Sequence, residues 1–154
     1  WDMSCLEQPV ATAAEMEALG AKLASRLGNA RVIYVHGPLG AGKTTFVRGM
    51  LRAFGHEGTV KSPTFTLVEP YDLKDISFYH FDLYRLNDPQ ELEFLGVRDY
   101  LEGSGVCLVE WAERGAGVLP VPDVDIVIER QEKGRMVRFS SGTDKGAMLL
   151  RGFT

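Results

Sequence analysis

Cysteine, histidine and long apolar runs are all scarce in this sequence. Its 154 residues hold two cysteines, Cys5 near the start and Cys107 inside the run VCLVE, and three histidines. Two cysteines with neither framework nor metal-site spacing exclude a disulfide scaffold and a zinc ribbon, and they read as reduced thiols. His36, His56 and His80 share no spacing with cysteine or carboxylate that suggests a metal, so they are expected to be structural or exposed. They also form no arguable Ser-His-Asp or Cys-His set. No apolar run approaches the ~18 residues that a membrane helix needs, and no secretory signal is read at the start. The expected location is therefore the cytoplasm, with no membrane partner. Met3 reads as a natural start, which would make Trp1 and Asp2 foreign additions.

What is present is the composition of a folded protein, 45% hydrophobic and 25% charged. The length suits one domain, 1–154, with a core that needs no disulfide or structural metal. The net charge of −4 is unevenly spread. Residues 130–154 carry six Lys/Arg against Glu132 and Asp144, a local +4. Such a basic segment can meet RNA or an acidic partner, or can simply be a solvated hairpin.

Thr12 followed by Glu15 has the spacing of a capping box. Met16, Leu19, Leu23 and Leu27 then recur at helical intervals, predicting a helix over 12–27 that stops at Gly28-Asn29. Arg31–His36 reads as a short buried strand. From Thr44 onward, Phe46, Val47, Met50, Leu51 and Phe54 make one apolar helix face, closed by Gly55. Leu67–Tyr71 and Ile76–Asp82 read as a hairpin around a polar turn. Asp88, Pro89, Glu91 and Gly96 mark the start and stop of a short helix. Val106–Glu110 is a continuous apolar run, as expected of a central strand. Val124–Glu129 and Met136–Ser141 predict a closing antiparallel hairpin.

Between the second strand and second helix lies GPLGAGKTT. Gly37, Gly42, Lys43 and Thr44 match G-x-x-x-x-G-K-[ST] in full, in the strand-before and helix-after context that the motif requires. The physical reason is steric and electrostatic. Glycines let consecutive backbone N–H groups turn inward on a phosphate chain, and the helix N-terminus adds partial positive charge. Leu39, Gly40, Ala41 and Thr45 complete this loop. Lys43 would reach the β- and γ-phosphates and Thr44 would ligate Mg²⁺. Two strands end in acids. Glu110 closes the more continuous apolar run and is the better metal-side acid, whereas Asp82 is the better water-orienting candidate. Each can instead cap a neighbouring loop. Thr64, in KSPTFTLV, is either a γ-phosphate sensor or an ordinary turn residue. Arg85 can pair with phosphate or with acidic neighbours and is not taken as a finger. Trp111 either stacks on the base or ribose or packs in the core.

The sequence shows neither the Asn-Lys-x-Asp element nor the Asp-x-x-Gly switch of a GTPase. The region 85–105 offers only Arg85 and Arg98 where a small-metabolite kinase would carry an arginine-rich lid. An ATPase serving another protein remains, with the kinase as the alternative. The blocks GPLGAGKTTFVRG, KSPTFTLVEPY, FYHFDLYRL, ELEFLGVRDYL and VCLVEWAERG, in that order, closely resemble the TsaE (YjeE) family over about residues 12–128. The resemblance implies a single P-loop NTPase-like α/β domain, with a central mixed sheet flanked by helices and a C-terminal antiparallel hairpin. It also implies a small ATPase using ATP and Mg²⁺ in threonylcarbamoyladenosine modification of tRNA. Such a protein would act on TsaD and TsaB and reach tRNA only through that complex. By motif it makes Lys43 and Thr44 the phosphate and Mg²⁺ residues, Asp82 the residue needed with Lys43 for hydrolysis, Glu110 the Mg²⁺-side acid and Trp111 a neighbour of the nucleotide. Thr12 would touch the base. Two positions depart from the family pattern: Pro38 stands where relatives often have Asp, removing one potential N–H donor, and Ala112 where Pro is common.

Overall fold

The computed structural model describes residues 5–153, so the expected start at Met3 lies outside the described residues. Seven strands form one sheet in the order β1-β7-β6-β2-β5-β4-β3. They are β1 (Leu6–Val10), β2 (Val32–His36), β3 (Val68–Asp72), β4 (Ser77–Asp82), β5 (Val106–Glu110), β6 (Val124–Arg130) and β7 (Arg135–Ser141). The four central strands, β6, β2, β5 and β4, run parallel, while β3, β7 and β1 add on antiparallel. This is the expected mixed sheet with a C-terminal hairpin. Burial on both faces explains why β5 reads as an unbroken apolar run instead of alternating.

On one face lie α1 (Ala13–Ser25), α2 (Lys43–Ala53) and α5 (Asp144–Arg151). On the other lie α3 (Gln90–Leu95), α4 (Val97–Glu102) and a 3₁₀ turn over Ala112–Gly115. The Thr12 hydroxyl caps α1 by accepting from Glu15 N–H at 3.1 Å, and Glu15 reaches back to the Ala11 N–H at 3.2 Å. The predicted helix, strand and hairpin boundaries hold within about two residues. The sequence reading omitted four elements: β1, α4, the 3₁₀ turn and α5. Beyond the predicted strand Met136–Ser141, where no element was read, Thr143 caps α5, and Leu149 and Leu150 of that helix with Phe153 just after it complete the core beside Phe139.

Helices α1 and α2 approach so closely that only glycine fits where they cross. A Cβ on Gly49 would lie 2.0 Å from the Glu17 carbonyl oxygen, and one on Gly20 2.1 Å from that of Phe46. Both obstacles are backbone, so neither can swing aside. Gly49→Ala should therefore destabilise the protein by about 1–3 kcal/mol or more, despite alanine's better helix propensity. A chemical-denaturation midpoint equal to wild type would contradict this packing.

Candidate active site

The parallel strands β2, β5 and β4 all end at one edge of the sheet, the place where open α/β sheets hold ligands. From β2 the chain turns through residues 37–42 into α2. Gly40 and Gly42 sit at φ 77° and 111°, a region open to glycine and costly for most other residues. The α2 N-terminus has no side-chain cap, which leaves its first amides directed at the cleft in front. One loop amide is already engaged: Ala41 N–H donates to the Pro38 carbonyl at 3.0 Å.

That cleft is about 530 Å³ and is lined by Leu39, Gly40, Gly42, Lys43, Thr44 and Thr45 of the loop and α2, facing Thr64, Asp82, Glu110 and Trp111, whereas the predicted loop residues Gly37 and Ala41 do not line it. The structure thus brings the sequence-predicted loop, acids and aromatic together. Lys43, only 8% exposed, places Nζ 3.6 Å from Glu110 Oε1 and 5.1 Å from the centre of the Trp111 ring. Asp82 and Glu110 are register partners on adjacent strands. Both carboxylates are buried and fully oriented. Asp82 Oδ1 accepts from Tyr84 N–H at 3.0 Å, and Oδ2 accepts from the hydroxyls of Ser62 and, at 3.2 Å, Thr64. Trp111 sits at φ 59°, ψ 41°, an uncommon conformation for a bulky residue that turns its ring over the cleft, against Tyr84. Arg85 lies outside the cleft, with its guanidinium 4.8 Å from the Phe65 ring centre. Thr12 is in a second recess of about 220 Å³ beside Met16, Gly40, Thr45 and Arg135.

Besides His80, four participants were not foreseen. Ser62 and Tyr84 orient Asp82. The other two are Arg130 and Arg135, from the segment read as basic. Turning loop N–H groups inward forces the carbonyls outward, and three consecutive ones are met by these arginines. Arg130 Nη2 donates to Leu39 O at 2.5 Å, Arg135 Nη2 to Gly40 O at 3.3 Å and Arg135 Nε to Ala41 O at 3.0 Å. Arg138 pairs with Glu7 and Glu129. Half of the basic segment's cations therefore hold the protein itself together.

The histidines divide by environment. His56 packs edge-on to Tyr71. His36, immediately before Gly37, hydrogen-bonds Asp125 at 2.7 Å, with Glu113 at 3.8 Å. The Asp125 hydrogen bond raises the His36 pKa above the usual 6.5, outweighing the opposing effects of burial and Lys43. A raised histidine contributes stability that is complete below pH 6.5 and is lost as pH rises through the folded value. Titration of the ring by NMR should give a midpoint above 6.5, and Asp125→Asn should lower it. His80, fully buried against Glu110, is the histidine that sequence spacing left without a role.

Cys5 is exposed and Cys107 buried, where burial pushes its thiol up to about 12. No helix among the described residues is long and apolar enough to cross a membrane.

Known proteins are similar to this chain in fold and sequence. The crystal structure of Bacillus subtilis YdiB superposes with a TM-score of 0.80 at 33% identity, covering 94% of this chain and 90% of that one. The tRNA threonylcarbamoyladenosine biosynthesis protein TsaE of Haemophilus influenzae is 48% identical over 123 residues, 80% of this chain and 78% of the relative. The TsaE of Bacillus subtilis is 41% identical over 119 residues, covering 77% and 74%. The family model described as threonylcarbamoyl adenosine biosynthesis protein TsaE matches residues 10–137, a range that includes the loop, both acids, Arg130 and Arg135. A match of that extent, with relatives this similar, makes the chain a member of the TsaE family.

Proposed function

We propose that this chain is a cytoplasmic ATPase that binds ATP with Mg²⁺, hydrolyses it slowly alone, and supports a TsaB–TsaD complex in threonylcarbamoyladenosine modification of tRNA. The observation that carries the reading is the convergence of Lys43, Glu110 and Asp82 on one cleft in front of an uncapped helix N-terminus. The free amides of the loop and of the first turn of α2 hold phosphate oxygens, and Lys43 adds a mobile positive charge. Its Nζ lies 3.6 Å from Glu110 Oε1.

The donor set fits magnesium. Thr44 and Glu110 offer hard oxygens, and among the described residues no cluster of three His, Cys, Asp or Glu forms an all-protein metal cage. Magnesium characteristically takes few protein ligands and completes its shell with phosphate and water. When bound it would neutralise charge building on the β- and γ-phosphates. Asp82, held by three donors, orients the attacking water, and Thr64 stands beside it. The recess around Thr12 suits the base, with Trp111 covering the opposite side of the loop.

Arg85 lies on Phe65 and Arg98 pairs with Glu93, which supports the ATPase reading over a kinase with an arginine lid. The deciding experiment measures phosphate release from ATP by the chain alone, then with TsaB and TsaD, alongside tRNA modification. Slow basal turnover that rises with the partners supports the proposal. Fast turnover indifferent to them, or ATP-dependent phosphorylation of a small acceptor, overturns it.

A further inference from the structure

His80 is fully buried, and its Nε2 lies 2.6 Å from Glu110 Oε2. Its Nδ1 is the buried side-chain polar atom with no hydrogen-bond partner among the described residues. These two facts fix the ring's arrangement. A proton on Nδ1 would be a buried donor with nowhere to go, whereas a proton on Nε2 is received by the carboxylate. His80 and Asp82, two apart on β4, face the same side, so one strand delivers both polar groups beside Glu110.

A glutamate's terminal torsion is broad, so the plane of an untethered Glu110 carboxylate would be free to swing and would aim no oxygen at a fixed point in the cleft. With Oε2 held by His80 and 3.4 Å from the Ser62 hydroxyl, Oε1 is left facing Lys43 at 3.6 Å. We infer that His80 is a positioning residue for the magnesium-side carboxylate: its buried Nε2–H commits one oxygen of Glu110 and reserves the other for the metal's hydration shell. Groups behind a metal-side ligand commonly change metal affinity by 10- to 100-fold when removed. The inference rests on the magnesium–nucleotide reading of the same cleft and names the residue that gives it geometry.

The test compares ADP affinity of the full chain in EDTA and in magnesium chloride, by calorimetry, for wild type and three variants. His80→Leu keeps apolar bulk and removes the donor. His80→Gln can set an amide N–H near the Nε2 position, whereas His80→Asn reaches only as far as Nδ1. Wild type should bind ADP more tightly with magnesium. His80→Leu and His80→Asn should lose about 10-fold of that magnesium gain, with affinity in EDTA moving much less, and His80→Gln should keep most of it. A thermal melt accompanies each variant. If His80→Leu fails to fold, the contrast between Gln and Asn decides. A full magnesium gain in the Leu or Asn variant, or a loss in Gln as deep as in Asn, overturns the inference while leaving the site reading intact. A wild-type protein whose ADP affinity ignores magnesium overturns both.

Discussion

Asp82→Asn should lower the ATP turnover number by about 10²–10³-fold while nucleotide affinity stays close to wild type. The expectation comes from what the side chain touches. The wild-type carboxylate receives Tyr84 N–H on one oxygen and the hydroxyls of Ser62 and Thr64 on the other. It is therefore oriented before any substrate arrives, which is where positioning catalysis gains its rate. Both hydroxyls can rotate, since each is acceptor as well as donor, so the carboxylate remains available to a water molecule. Asparagine preserves size and the Tyr84 contact but removes the charge that draws a water proton. Single-turnover hydrolysis measured beside ADP affinity separates the roles. Wild-type turnover in Asp82→Asn would reduce Asp82 to an anchor for the Ser62–Thr64 loop, the other role its position at a strand end allowed.

The parts of this site legible in the sequence were those that act through local backbone. The loop between Gly37 and Thr45 needs only a strand before it, glycines within it and a helix after it, all adjacent in the chain. Asp82 and Glu110 were readable because a parallel strand ending in an acid delivers that acid to the ligand edge, whatever its neighbours. Ser62, His80, Arg130 and Arg135 depend instead on which strands lie side by side. Their partners are 20 to 95 residues away in sequence, and no spacing rule reports that. His80 did carry one usable signal, its same-face position two residues before Asp82.

The fold divides in the same way. The strands and helices with strong periodicity stand where the pattern put them. Edge strand β1 carries Pro9 and three exposed positions, so its residues show little apolar alternation. Its pairing partner β7 comes more than 100 residues later. Helix α4 follows α3 with only Gly96 between them, at φ 78°, so a residue that reads as a stop also serves as the next start. The basic segment illustrates the limit of charge counting. Its excess of cations predicts solvent, RNA or an acidic partner, yet Arg130 and Arg135 bind carbonyls of the glycine-rich loop between β2 and α2. Charge that complements a backbone nest is invisible until the nest is built.

Lys43→Ala should weaken ADP binding by roughly 10- to 150-fold, the equivalent of losing a charge-assisted contact of about 1.5–3 kcal/mol. Three features favour a large effect. The ammonium is 8% exposed, so its attraction for phosphate is weakly screened. It lies 3.6 Å from Glu110 Oε1, within reach of both carboxylate and incoming anion, so binding needs only a short shift of a flexible side chain. Glu110 is itself 3% exposed and faces the same cleft. Without Lys43 its negative charge meets the phosphates with less compensation, an added penalty that magnesium would partly relieve. The loss should therefore be greater in EDTA than in magnesium, a sign that distinguishes a missing cation from a collapsed loop. Collapse would weaken binding equally in both and lower the melting temperature. Calorimetric titration of ADP into Lys43→Ala under the two conditions checks it, and an affinity equal to wild type in both would remove Lys43 from the phosphate site.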